Sequence, residues 1–280
     1  MQPIKKLPIN LLLAFIVLNF VSVYLSTLIF RTTWIADIQR NTSGWVDPNL
    51  VTFSLLNIVL VLGLLVFAGK LRALDMGLVK IYQGFLALAG IWIFSQLFTS
   101  MVVLAAGQEL ALHQMWLQHP SGYIFGFLIA MIIGTALYEE IAFRGVIFPQ
   151  LFLRFSNSNK SYGFSIFLAI MVSAVLFSLF HIPSLILIQG LGAREILISL
   201  VGFLVPGSIL SIAYLRTGSL FIPIAIHALN NAPTPLLQSP LNPSLAIQVA
   251  GLLFIIIWPL ITKKKFGFFY TINALKPQNL

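Results

Sequence analysis

Glu139, Glu140 and Arg144 stand in "YEEIAFRG" (138–145), directly after the apolar run "GYIFGFLIAMIIGTAL". Ionisable groups are costly in apolar surroundings and are retained there mainly for pairing or chemistry. Two histidines share that setting: His181 ends "SAVLFSLFH", and His227 opens "HALNN", which also holds Asn231. A carboxylate and a histidine held together in a low-dielectric cavity can polarise one water. A second histidine with an amide one helical turn on supplies donors for a developing oxyanion. The set suits acyl hydrolysis by activated water. Glu139, His181 and His227 suit Zn²⁺ with an open position equally well, and both readings stand at this point. Other mechanisms lack their parts. H-E-x-x-H and G-x-S-x-G are absent, no Asp lies in an apolar run, and there is no cysteine.

Spacing sorts these residues. Glu140 and Arg144 are i and i+4 in the favourable acid-first order, which predicts a structural ion pair. Glu139 points about 100° away around the helix and is left for another task. Glu139 and His181 are equidistant from the polar turn "SNSNK" (156–160), so a helical hairpin places them at one depth. His227 and Asn231 share a helix face. Phe177, one turn before His181, reads as packing. Glu139 lies about 30 Å of helix from the hairpin turn, whereas His227 lies only about 15 Å from the loop before its own helix. Their depths agree if the hairpin protrudes or bends near Phe148-Pro149. His113 and His119 lie in a polar stretch and read as surface residues.

The elements that must hold these groups are membrane helices. Of the 280 residues 59% are hydrophobic and 8% charged, against about 25% charged in soluble domains. Eight apolar runs are legible, near 8–30, 50–69, 81–106, 122–150, 163–188, 195–215, 219–232 and 244–262. This predicts an all-α, polytopic protein of about eight transmembrane helices in one domain, 1–280, with a motif-bearing core near 122–235. The first run exceeds a signal-peptide core of about 7–15 residues and reads as an uncleaved span. Residues 32–49 read as an external turn, 107–121 as a short interfacial helix, and Pro206-Gly207 as a kink. The first three runs carry no motif.

Charge predicts orientation. Of 16 Lys and Arg, 12 fall on the side of both termini, 3 (Arg31, Arg40, Arg194) on the other, and Arg144 within a run. That bias places both termini in the cytoplasm. The net charge of +9 then reads as topology and contact with anionic lipid rather than nucleic-acid binding. "KKKFGFFY" reads as a cytoplasmic anchor. The shallow depth of His227 predicts a reactive site opening to the cytoplasmic side.

Together "EEIAFR", "FSLFH" and "HALNN" resemble the CPBP family pattern E-E-x-x-x-R, F-x-x-x-H, H-x-x-x-N/D. That family comprises type II CAAX prenyl endopeptidases and bacterial bacteriocin-processing and Abi-type intramembrane proteases. The resemblance covers roughly 130–235. It implies an eight-helix core and hydrolysis of peptide or prenylated-protein substrates in a membrane cavity. It also implies that Glu139 and His181 activate water, that His227 and Asn231 stabilise the oxyanion, and that Glu140, Arg144 and Phe177 support them. A glutamate-type enzyme without cofactor is favoured over a zinc metalloendopeptidase, whose ligands would be Glu139, His181 and His227. A proton-coupled carrier using the Glu/His set as a relay and a non-catalytic membrane scaffold are the alternatives from other classes.

Overall fold

The computed structural model describes residues 4–156 and 161–262. The turn residues 157–160 and the lysine-rich stretch from 263 onward, called above as hairpin tip and anchor, lie outside the described residues. The helices are α1 (Ile9–Ile29), α2 (Thr33–Asn41), α3 (Pro48–Ala68), α4 (Ile81–Ala105), α5 (Ser121–Phe155), α6 (Tyr162–Leu179), α7 (Ile182–Leu187), α8 (Ala193–Thr217), α9 (Phe221–Asn231) and α10 (Pro243–Thr262). Seven helical segments are long and apolar enough to cross a membrane, α6 and α7 counting as one. The chain is a multi-pass integral membrane protein, and about eight crossings agree with the sequence reading.

The eighth crossing is built differently. α9 has 11 residues and is about 16 Å long, too short for a hydrocarbon core of about 30 Å. An extended stretch after it completes the passage. Its backbone is satisfied by side chains: Trp92 Nε1 donates to the Thr234 carbonyl (3.2 Å), Trp116 Nε1 to the Pro235 carbonyl (2.7 Å), and the Leu236 N–H to Gln96 Oε1 (2.8 Å). Irregular backbone at membrane depth needs such internal partners, because lipid offers none.

Local sequence explains the ends that matter. Asp47 caps α3 by accepting from the Asn49 N–H at 2.8 Å, with Pro48 in the first turn. α8 includes Pro206-Gly207 within one helix and stops at Gly218 in the left-handed region (φ 67°). The polar stretch 32–49, read as a turn, contains the helix α2. The stretch 107–121 holds one helical turn, Met115–Gln118, and its Leu112 bridges to Leu237.

The α5–α6 hairpin has the expected register. Phe143 meets Phe177 edge-on at 5.2 Å between centroids, and this pair is symmetric about position 160, as are Glu139 and His181. The depth conflict resolves by protrusion. A Cβ on Gly145 would lie 2.8 Å from the Met76 carbonyl oxygen, beside Leu220, so Gly145 is level with the start of α9. Glu139 and His227 are then each about 10 Å above that level. α5 continues past it to Gln150, whose side chain accepts from the Leu7 N–H (2.8 Å) and donates to the Lys5 carbonyl (2.8 Å).

Candidate functional site

α5 positions the acidic pair by an irregular winding. A single α-helical turn, Leu137–Glu140, is flanked by two wider π-helical stretches, Ala130–Ala136 and Ile141–Ile147. π-turns inside helices re-aim side chains and concentrate at functional sites. Close approach at Gly134 anchors the turn from above, since a Cβ there would lie 2.9 Å from the Asn49 carbonyl oxygen.

The two glutamates have different environments. Glu140 is fully buried and Glu139 is 16% exposed. Glu140 Oε1 accepts from Arg144 Nη1 at 2.9 Å and from His227 Nδ1 at 2.7 Å. Arg144 also donates to the Gly207 carbonyl at 2.9 Å, and its guanidinium lies 4.5 Å from the Phe177 ring centroid. A guanidinium divided between a carboxylate, a carbonyl and an aromatic face holds one orientation. Phe177 therefore does more than fill space: it floors Arg144 and touches both histidine rings, at 4.8 Å to His181 and 6.1 Å to His227.

The histidine tautomers follow from their partners. A carboxylate can only accept, so His227 Nδ1 carries the proton given to Glu140, and Nε2 faces Glu139 Oε2 at 3.7 Å. α6 ends at Leu179, where Pro183 lacks the N–H that would bond the Leu179 carbonyl. The His181 N–H turns back to the Ser178 carbonyl, and His181 Nδ1 donates to the Phe177 carbonyl at 2.8 Å. His181 Nε2 is thereby an acceptor. Its ring is stacked 4.0 Å from Phe203, which locks its plane.

Glu139, His181, His227 and Asn231 all line one cavity of about 750 Å³. Glu139 makes no direct hydrogen bond or ion pair with His181; its close neighbour is His227. Glu139 Oε2 is buried without a hydrogen-bond partner. Asn231 is exposed at the end of α9, whereas Asn230 is tied to α10 through Gln248 Nε2 at 3.0 Å. For a zinc ion the donors do not converge: among the described residues no three His, Cys, Asp or Glu side chains gather as a metal site.

Two residues escaped the sequence reading. Tyr138 donates to Asn19 Oδ1 at 2.7 Å, and both line the cavity, so the first span contributes to the site although it carries no motif. Asn19, a lone amide midway along an apolar run, was the available signal. The cavity is lined by Phe30, Gln39, Asp47 and Asn49, and by no residue of the connectors 69–80 or 218–220. It runs toward the bundle face opposite the termini. α9 itself starts deep, its Leu220 N–H bonded to the Gly77 carbonyl of a connector that folds up into the bundle (2.9 Å).

Residues 120–233 match the family model described as type II CAAX prenyl endopeptidase Rce1-like. No curated protein and no solved structure matches the chain significantly. The matched stretch runs from just before α5 to just past α9 and contains all seven residues singled out by spacing and motif. Over this stretch, which is less than half of its length, the multi-pass membrane protein is similar to type II CAAX prenyl endopeptidases of the Rce1-like kind.

Proposed function

We propose that the protein is an intramembrane endopeptidase in which Glu139 and His181 activate a water and His227 and Asn231 stabilise the oxyanion. The observation that carries this reading is the asymmetry of the glutamates. Both Oε2 atoms lack a hydrogen bond, but Glu140 is held through Oε1 by two donors and does not line the cavity, while Glu139 lines it, makes no hydrogen bond and has His227 Nε2 at 3.7 Å. A carboxylate kept unpaired beside a cavity is suited to take a proton.

The residues divide the work as follows. Water bridges Glu139 and the Nε2 acceptor of His181 and gives one proton to Glu139 as its oxygen bonds to the peptide carbonyl carbon. The carbonyl oxygen becomes an oxyanion and accepts from Asn231 Nδ2 and from His227 Nε2 when that ring carries both protons. Glu140 and Arg144 hold the His227 ring in place. The C–N bond then breaks, and the proton on Glu139 passes to the leaving amine.

Glu139→Gln in the purified full-length protein tests the proposal. Glutamine keeps the shape and removes the base, so cleavage of a quenched fluorogenic peptide bearing a lipid chain falls by at least about 100-fold, with unchanged thermal unfolding. Wild-type turnover in that variant would sink the reading. The same variant separates the enzyme from a scaffold, whose partner binding would survive it.

A further inference from the structure

We propose that this cavity is loaded from the non-cytoplasmic side of the membrane, and that its substrate is a membrane-inserted or exported polypeptide cut in the outer half of the bilayer. The inference rests on the endopeptidase reading above and adds to it a side and a substrate class.

Depth comes first. Tyr138, next to Glu139, bonds Asn19 at 2.7 Å, and Asn19 is the central residue of α1 (Ile9–Ile29). The acidic pair therefore lies near mid-membrane, about 15 Å of helix from either end of α1. From there the cavity extends one way, to Phe30 at the end of α1, Gln39 of α2 and Asn49 at the start of α3. Its mouth includes the exposed residues Asn231 and Gln248.

The other way is closed. The connector 69–80 folds up beneath the site, where the Leu220 N–H donates to the Gly77 carbonyl and Ser219 Oγ to the Val79 carbonyl, each at 2.9 Å. Gly145 of α5 seals against Met76 in the same layer. A cytoplasmic tail would have to displace this layer to reach Glu139.

Charge supplies the side. Among the described residues, the closed end belongs to the face that carries Lys5, Lys6, Lys70, Arg72, Lys80, Arg154 and Arg216, and the open end to the face that carries Arg31, Arg40 and Arg194. Basic residues mark the cytoplasmic side, so the open end faces outward. The cavity wall beside Glu139 is also polar. Asn19 Nδ2 and Thr135 Oγ1 are buried there without partners, and unpaired donors on a wall suit an extended peptide backbone rather than an isoprenoid.

The experiment uses the absence of cysteine in the chain. Single-cysteine full-length variants Q39C (cavity mouth), A106C (the end of α4, at the same membrane face as α2) and A73C (the connector below the site) are expressed in host cells and treated with a membrane-impermeant maleimide. Labelling of Q39C and A106C in intact cells, with A73C labelled only after permeabilisation, is expected; the reverse pattern overturns the inference. A quenched fluorogenic peptide on a lipid chain is then added outside right-side-out or inside-out vesicles containing the wild-type protein. Hydrolysis in right-side-out vesicles alone is expected. Hydrolysis in inside-out vesicles alone, or equally in both, overturns the outward side and leaves the endopeptidase intact. No hydrolysis in either, or in detergent, overturns the endopeptidase reading and this inference with it.

Discussion

Glu140, Arg144 and His227 form one buried unit, and a double-substitution cycle measures it. Arg144→Met leaves the Glu140 carboxylate, fully buried, with His227 as its sole close partner. The Gly207 carbonyl is not orphaned, because Ser211 Oγ also donates to it at 3.0 Å. Glu140→Gln conversely leaves a buried guanidinium without its counter-charge. Each single change costs about 3–5 kcal/mol, the usual penalty for stranding one partner of a buried pair. The double variant removes both charges, so the costs do not add, and a coupling of about 1–3 kcal/mol remains. Stability is read from unfolding in detergent, and cleavage of the fluorogenic lipopeptide is read in the same samples. The double variant loses less stability than the two single costs added together and regains no activity, because His227 Nδ1 no longer meets a carboxylate. Each 1.4 kcal/mol of lost transition-state stabilisation is about a tenfold loss in rate. Additivity within about 0.5 kcal/mol would refute the claim that these side chains act as a unit. Full activity in the folded double variant would refute the positioning of His227 by Glu140.

Three other outcomes follow from the same geometry. Gly134→Val drives side-chain atoms into the Asn49 carbonyl, 2.9 Å from an ideal Cβ, and lowers stability by about 1–3 kcal/mol, measurable as a drop in Tm. In the connector below the site, burial works to raise the Asp75 carboxyl, but hydrogen bonds from Arg72 (2.9 Å to its Nε) outweigh it and hold the group below its ordinary 3.8. Its stabilisation is therefore present above that ordinary value and lost as pH falls through the lowered native one. The stability gap between wild type and Asp75→Asn closes only in that acid range, and a gap independent of pH would contradict the assignment. Exhaustive dialysis against a chelator leaves cleavage unchanged if Glu139 and His181 act without metal; loss restored specifically by Zn²⁺ would replace that mechanism.

The helices were legible because a hydrocarbon core demands long uninterrupted apolar runs, and each run in the sequence has its helix within a few residues. The i, i+4 rule set the Glu140–Arg144 pair apart from Glu139, and symmetry about the hairpin turn set the level of His181. The third partner of Glu140 was not legible. His227 lies 87 positions away, and helix periodicity does not say which of two adjacent carboxylates a distant ring will meet. The π-helical winding around Leu137–Glu140 also escaped, because a run of Ile, Ala, Gly and Phe fits either winding.

By itself the sequence determined the membrane class, the number of crossings, the charge asymmetry between faces, and the short set of polar residues able to do chemistry. These depend on composition and local spacing, which lipid and helix geometry constrain directly. The tertiary structure alone decided that His227 is shared between Glu140 and Glu139, that Asn19 and Tyr138 extend the site into the first span, and that the cavity opens away from the termini. Those depend on how far each helix end rises into the bundle. That height is set by contacts such as Leu220 to Gly77 and Gly145 to Met76, between residues far apart along the chain.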